Sequence, residues 1–173
     1  MDLRGKRIAV LAADLYQEME IWYPLLRFRE EGAETVAVGA EAGKTYSSKK
    51  GYPVVADLSI ASAKASDFDV VIIPGGWAPD TLRQDVRMVN FVREMDKAGK
   101  IVAAICHAGW LLCSADILRG RKVTCFKAIK DDMIHAGAKY VDEEVVVDGN
   151  LITSRMPTDL PVFCREIIKM LKA

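Results

Sequence analysis

Along the chain, short runs of apolar and β-branched residues alternate with longer stretches in which apolar positions recur at helical spacing. That alternation builds a parallel sheet covered by helices on both faces. Four runs read as central strands because both of their faces are apolar: Lys6 to Ala13, Glu34 to Val38, Asp69 to Ile73 and Ile101 to Ile105. They predict a four-strand parallel core. Between them, Glu18 to Glu31 carries Met19, Trp22, Leu25 and Phe28 at near-helical spacing and stops at Gly32. Asp80 to Ala98 reads as a second helix closed by Gly99, and a third starts just after Cys106 and runs to about Ile117. The turn Arg119 to Lys122 launches a further strand, Val123 to Phe126. Glu144 to Val147 and Leu151 to Ser154 flank Asp148-Gly149-Asn150, a hairpin signal that predicts an antiparallel flap on the main sheet. Thr158 to Leu171 supplies the last helix. Residues 1–173 show no repeat, low-complexity segment or linker, so one α/β domain is expected.

Charge and cysteine content narrow the function. With 24 basic and 24 acidic residues the net charge is zero, so no broad field favours nucleic acid or an anionic membrane. No apolar run approaches the roughly 20 residues of a membrane span, and the charged start Met1 to Lys6 passes straight into a strand. A soluble, cytoplasmic protein is expected. Cys106, Cys113, Cys125 and Cys164 form no C-x-x-C pair and have no histidine cluster near them. Free thiols are therefore expected, with no disulfide framework, metal or cofactor. Neither a P-loop nor G-x-G-x-x-G follows the first strand, so a nucleotide- or flavin-binding module would lack its phosphate cradle.

In an open parallel sheet, ligands bind beyond the carboxyl ends of the strands. Three segments follow strands there: Asp14 to Glu20, Pro74 to Asp80, and Cys106-His107-Ala108-Gly109. The third is the sharpest, because the small residues Ala103 and Ala104 deliver Cys106 into a strand-to-helix turn, the geometry of a nucleophile elbow. A thiol there lies near a helix N-terminus, whose free N–H groups favour thiolate. Neighbouring side chains at a sharp turn need not face each other, so the backbone N–H of His107 is its more secure contribution, as an oxyanion donor. A cysteine ending a core strand can equally be a small hydrophobe, and that reading stays open for Cys106. It is the preferred one for Cys113, Cys125 and Cys164, which sit inside helix or strand patterns. The pair Gly75-Gly76 either supplies a second oxyanion N–H or makes a plain tight turn. Glu18 and Glu20 point to different faces of their helix, so at most one enters the cleft. Glu20 has the apolar neighbours. Buried there it has a raised pKa and can donate to a thiolate; outside it is a solvated surface acid. His135, near Gly137, reads as a charge at a helix C-terminus.

In order along the chain, Glu20 to Pro24, Lys50-Gly51 with Asp57-Leu58, Ile73 to Asp80, Ala104 to His107, Leu118 to Lys122, and Lys130 to Met133 through Val145 to Asn150 resemble the ThiJ/PfpI family, in particular its PfpI-type intracellular peptidases and deglycases. The resemblance spans nearly the whole chain. It implies a flavodoxin-like three-layer sandwich with mainly parallel strands and an elbow after a central strand. It implies Cys106 as nucleophile, Glu20 hydrogen-bonded to the thiol, and Gly76 with the His107 backbone as oxyanion hole. It further implies that an acid of a neighbouring subunit, matched here by Asp80, orients His107, so a homo-oligomer (dimer, trimer or hexamer) is expected. The implied activities are peptidase or amidase action, deglycation of methylglyoxal adducts, and cofactor-free conversion of methylglyoxal to lactate. All begin with thiolate attack on a carbonyl, which makes small carbonyl compounds or peptides the expected substrates. The alternative is a redox-sensing or chaperone-like stress protein in which Cys106 is oxidised. Four departures stand out. Ala108-Gly109-Trp110 replaces the family's Gly-Pro continuation and puts Trp110 near the mouth, Gln17 replaces a second acid, Phe126 stands where tyrosine is common, and Asp80 is shorter than the family's glutamate. These departures weigh against strong proteolysis.

Overall fold

The computed structural model describes residues 3–173. In chain order the strands of the first half are β1 (Arg7–Leu11), β2 (Glu34–Gly39), β3 (Thr45–Ser47), β4 (Pro53–Val55), β5 (Leu58–Ser59) and β6 (Val70–Ile73). Those of the second half are β7 (Ile101–Ile105), β8 (Lys122–Val123), β9 (Lys139–Tyr140), β10 (Val145–Asp148) and β11 (Leu151–Ser154). The helices are α1 (Glu18–Glu30), α2 (Ala78–Gln84), α3 (Val86–Lys97), α4 (Gly109–Ala115), α5 (Lys130–His135) and α6 (Leu160–Lys172). The main sheet has the order β10-β11-β7-β6-β1-β2-β5 and is parallel except for β10. The four strands expected from sequence form its centre, and Ile8 to Leu11, Val70 to Ile73 and Ile101 to Ile105 are buried. Helices α1 and α6 pack together, and α2, α3 and α4 form a second group, so the sheet is covered by two helical layers. Among the described residues, no helix is long and apolar enough to cross a membrane.

The sheet is wider than the four-strand core expected. The antiparallel hairpin around Gly149 joins the main sheet as expected, but as part of its width: β11 runs parallel to β7, with Leu151 opposite Val102 and Ser154 opposite Ile105, and only β10 is antiparallel. The polar residues of β11 pass for solvent-facing positions in the sequence, yet both are buried and satisfied internally. Thr153 Oγ1 accepts the Thr124 N–H at 2.9 Å, and Ser154 Oγ donates to the Glu144 carbonyl. The strand expected over Val123 to Phe126 is cut short there: the Thr124 N–H goes to a side chain of β11 rather than to a backbone carbonyl. What remains, β8, pairs with β9 in a separate two-stranded sheet.

The single helix expected over Asp80 to Ala98 is two. Asp85 adopts φ −88° and ψ 107°, and its carboxylate accepts the Arg87 N–H at 2.9 Å, so it caps and restarts the helix. After β7 comes one 3-10 turn, Cys106–Ala108, before α4, which ends at Asp116 with φ 55°, just short of Ile117. A hairpin of β3 and β4 was not expected at all.

Because β1, β6 and β7 are neighbours, the loops at their carboxyl ends converge. Backbone hydrogen bonds join the first two loops: Gln17 N–H to Gly75 O at 3.4 Å and Trp77 N–H to Leu15 O at 2.9 Å.

Candidate active site

Cys106 leaves β7 in the left-handed region, at φ 63°, which costs a non-glycine residue on the order of 1–2 kcal/mol and turns its side chain towards Gly76 and Glu20. The residue is 7% exposed. The backbone N–H groups of Gly76 and His107 both donate towards Sγ. His107 Nδ1 lies 3.3 Å from Sγ, so adjacency in sequence does here become contact.

Glu20 reaches the same point from α1. Gln17 caps that helix, its Oε1 accepting from the N–H of Met19 at 2.8 Å and of Glu20 at 3.2 Å, and this fixes which face turns inward. Glu18 stays partly exposed while Glu20 is fully buried. Glu20 Oε2 accepts the Gly75 N–H at 2.6 Å, whereas Oε1 is buried with no N–H or O–H donor. The carboxyl and the Cys106 thiol are within hydrogen-bonding reach of each other.

The two glycines divide the work differently from either reading of the sequence. Gly75 spends its N–H on Glu20 and is not an oxyanion donor; Gly76, at φ 72°, supplies the N–H that faces sulfur. A Cβ on Gly75 would stand 2.7 Å from both Cys106 Cβ and Glu20 Oε2, and 2.9 Å from His107 N. Only glycine lets the three groups meet.

Burial pushes the Glu20 carboxyl up to about 8, against the stabilising Gly75 N–H. Burial, and then the charge of Glu20, pushes the Cys106 thiol up to about 12, against the N–H groups of Gly76 and His107. The N–H groups expected to favour thiolate are in place, but desolvation outweighs them whenever Glu20 is also ionised. Two negative charges do not share this buried spot, so the groups titrate as a pair in two steps. Burial, with the charge of Lys49 as a second cause, holds the His107 imidazole below its ordinary value, which favours its neutral form.

Aromatic rings wall the site. The His107 ring stacks on Phe126 with centroids 4.9 Å apart and an angle of 27°. Trp110 meets it edge-on at 5.3 Å and is itself held by Asp132, whose Oδ2 accepts the indole N–H at 2.8 Å. Among the described residues, His107 Nε2 has no hydrogen-bond partner. Asp80 is exposed on α2, takes Gln84 Nε2 at 3.3 Å, and among the described residues makes no hydrogen bond with His107. Cys125 and Cys164 are buried, and half-buried Cys113 faces the Asp132 carbonyl at 3.8 Å. Among the described residues, no three His, Cys, Asp or Glu side chains gather to hold a metal ion. The sequence reading passed over Lys49, whose ammonium lies 5.8 Å from the Trp77 ring centroid; the turn residues Ser48 and Gly51 on either side were its only signal.

Residues 6–170 match the DJ-1/PfpI family. The chain belongs to that family. Among its DJ-1/PfpI relatives, protein/nucleic acid deglycase 2 of Escherichia coli is 46% identical over 171 residues, covering 98% of this chain and 99% of the relative. A deglycase of Pyrococcus horikoshii is 44% identical over 166 residues, covering 96% and 99%. In structure, a two-domain protein of Anabaena variabilis with DJ-1/ThiJ/PfpI-like and ferritin-like domains superposes with a TM-score of 0.95 at 43% identity. That match covers 96% of this chain, which spans 48% of the two-domain protein. The flavodoxin-like sandwich is thus the DJ-1/PfpI fold, with the elbow cysteine at the carboxyl edge of its central strands.

Proposed function

We propose that this protein is a cysteine-dependent enzyme that attacks carbonyl groups with Cys106, acting on small carbonyl compounds, glycated groups or peptides, with deglycation foremost. The observation that carries the reading is Cys106 at φ 63° beside a fully buried Glu20, with two backbone N–H groups turned to Sγ. Deglycase relatives at 44% and 46% identity support it.

When the pair has lost one proton, the form that reacts is the one with the charge on sulfur: the carboxyl, at about 8 against about 12, gives up its proton more readily, but two N–H groups serve Sγ and one serves Glu20, which keeps the sulfur-charged form accessible. Glu20 then keeps the remaining proton and donates to sulfur. On attack, the Sγ electron pair forms the S–C bond and the carbonyl π pair moves to oxygen. That oxygen takes the proton of Glu20 and accepts from the same N–H groups as the charge leaves sulfur. Phe126 offers no phenol and Gln17 no second acid, so Glu20 is the proton source beside Sγ. A single acid suits addition to reactive aldehydes and ketones better than cleavage of an unstrained amide.

An acid from a second copy completes the site. The free Nε2 of His107 and the exposed Asp80 support an arrangement in which Asp80 of one subunit orients His107 of the next. Mixing Asp80→Asn with Cys106→Ala subunits should then restore part of the activity that each lacks; a mixture no more active than its parts would count against the arrangement.

The direct test is Cys106→Ala assayed for methylglyoxal conversion, deglycation and aminopeptidase action. Loss of all activity in a folded variant is expected, and full retention in these assays would end the proposal.

A further inference from the structure

The turn between β3 and β4 is built around one buried hydroxyl. Ser48, 3% exposed, donates from Oγ to Glu18 Oε1 at 2.8 Å and accepts from the N–H of Lys50 at 3.1 Å and of Tyr52 at 2.9 Å. Gly51, at φ 83°, returns its N–H to Ser48 O at 3.1 Å. The N–H of Lys49 itself donates to Tyr16 O at 2.9 Å, and Tyr16 also bridges to Gly76. The backbone of Lys49 is therefore fastened to the two loops that form the site.

Its side chain points the same way. The Lys49 ammonium stands 5.8 Å from the Trp77 ring centroid, that ring is 6.2 Å from the His107 ring, and His107 Nδ1 is 3.3 Å from Sγ. Among the described residues, Lys49 enters no salt bridge. The carboxylates near the mouth are otherwise engaged: Glu18 with Ser48 and the Lys50 N–H, Glu20 with Gly75, Asp80 with Gln84, and Asp132 with Trp110. The charge of Lys49 nonetheless reaches inward, lowering the pKa of Glu20 and of His107. A rigid turn thus holds a cation beside the Trp77 ring at the entrance to a buried nucleophile, with the Glu18 carboxylate close enough to feel its charge but in no salt bridge with it.

We propose that Lys49 makes this entrance selective for carbonyl compounds that carry a carboxylate, holding the anion at the rim over Trp77 while the carbonyl reaches Cys106. The inference rests on the reading of Cys106 as nucleophile. A carboxylate arriving beside Lys49 gains a Coulomb contact only partly screened at physiological salt, where the screening length is about 8 Å. A neutral substrate of the same shape gains nothing from it.

Two alkylating reagents of nearly the same shape separate the charge effect from reactivity. Iodoacetate is anionic and iodoacetamide neutral; with both, Sγ forms a bond to the CH₂ carbon and iodide leaves. The ratio of their rates at Cys106, followed by peptide mass spectrometry, cancels any change in thiolate fraction. Lys49→Gln should lower the iodoacetate-to-iodoacetamide ratio about fivefold, Lys49→Glu should lower it further, and Lys49→Arg should keep it. About 1 M salt, with a screening length of about 3 Å, should bring the wild-type ratio down to that of Lys49→Gln. A ratio unchanged in Lys49→Gln, while both reagents still single out Cys106, would overturn the inference and leave the nucleophile intact. If neither reagent preferred Cys106 over the other three cysteines in the wild type, the nucleophile itself would be lost and the inference with it.

Discussion

The two ends of the central strands are built to opposite rules. At the amino ends, polar groups are tied to one another within the chain. The Asp69 carboxylate takes the Arg7 N–H at 2.9 Å, and Arg121 reaches Asp96 at 2.7 Å, Asp148 O at 2.9 Å and Asn150 at 2.6 Å. Asn150 in turn donates to Lys100 O at 2.8 Å. At the carboxyl ends the groups are left unspent: Cys106 and Leu15 sit at positive φ, Glu20 Oε1 has no donor, and His107 Nε2 has no partner among the described residues. One edge secures the sheet, and the other keeps strain and unsatisfied polarity where a substrate can use them.

Substitutions at the two edges should therefore separate activity from stability. Cys106→Ala should remove activity by several orders of magnitude, as loss of a nucleophile does, yet leave the unfolding midpoint close to that of the wild type by calorimetry. Gly75→Ala should cost activity about 100-fold, since its Cβ forces apart Cys106, Glu20 and the His107 N–H. The same clash should lower stability by about 1–3 kcal/mol. Asp96→Ala, at the opposite edge, should lower stability by about 2 kcal/mol in urea titration, because Arg121 and Asn150 lose a shared acceptor. Its kcat/KM should stay within about twofold of the wild type if the edges are independent. A large loss of activity there would show that they are coupled.

Which features were legible follows from where each signal sits. The central strands announce themselves because both faces are buried, and the elbow because small residues, Ala103 and Ala104, run straight into Cys106. The inward turn of Glu20 rather than Glu18 was open to helical geometry. The restart at Asp85 was not, because the apolar pattern continues through Leu82, Met88 and Val89 while one carboxylate breaks the backbone. The placing of β11 was hidden by Thr153 and Ser154, whose polarity is satisfied by backbone groups distant in sequence. The division of labour between Gly75 and Gly76 has no side chain to reveal it, and Lys49 in an exposed turn looks like any solvated lysine.

The central claim is that Cys106 and Glu20 share one proton, and that the singly deprotonated pair reacts through the form with its charge on sulfur. Iodoacetamide alkylation of Cys106 against pH, in the wild type and in Glu20→Gln, tests it most directly. In the wild type the rate should rise with a midpoint near the value of about 8 to which the carboxyl is pushed, hold a plateau, and climb again only towards about 12. Glu20→Gln, with one titrating group left, should show a single step. A wild-type profile with no rise near 8 and one step near 12, moved to lower pH in Glu20→Gln as the neighbouring charge is lost, would place the charge on the carboxylate alone and contradict the account.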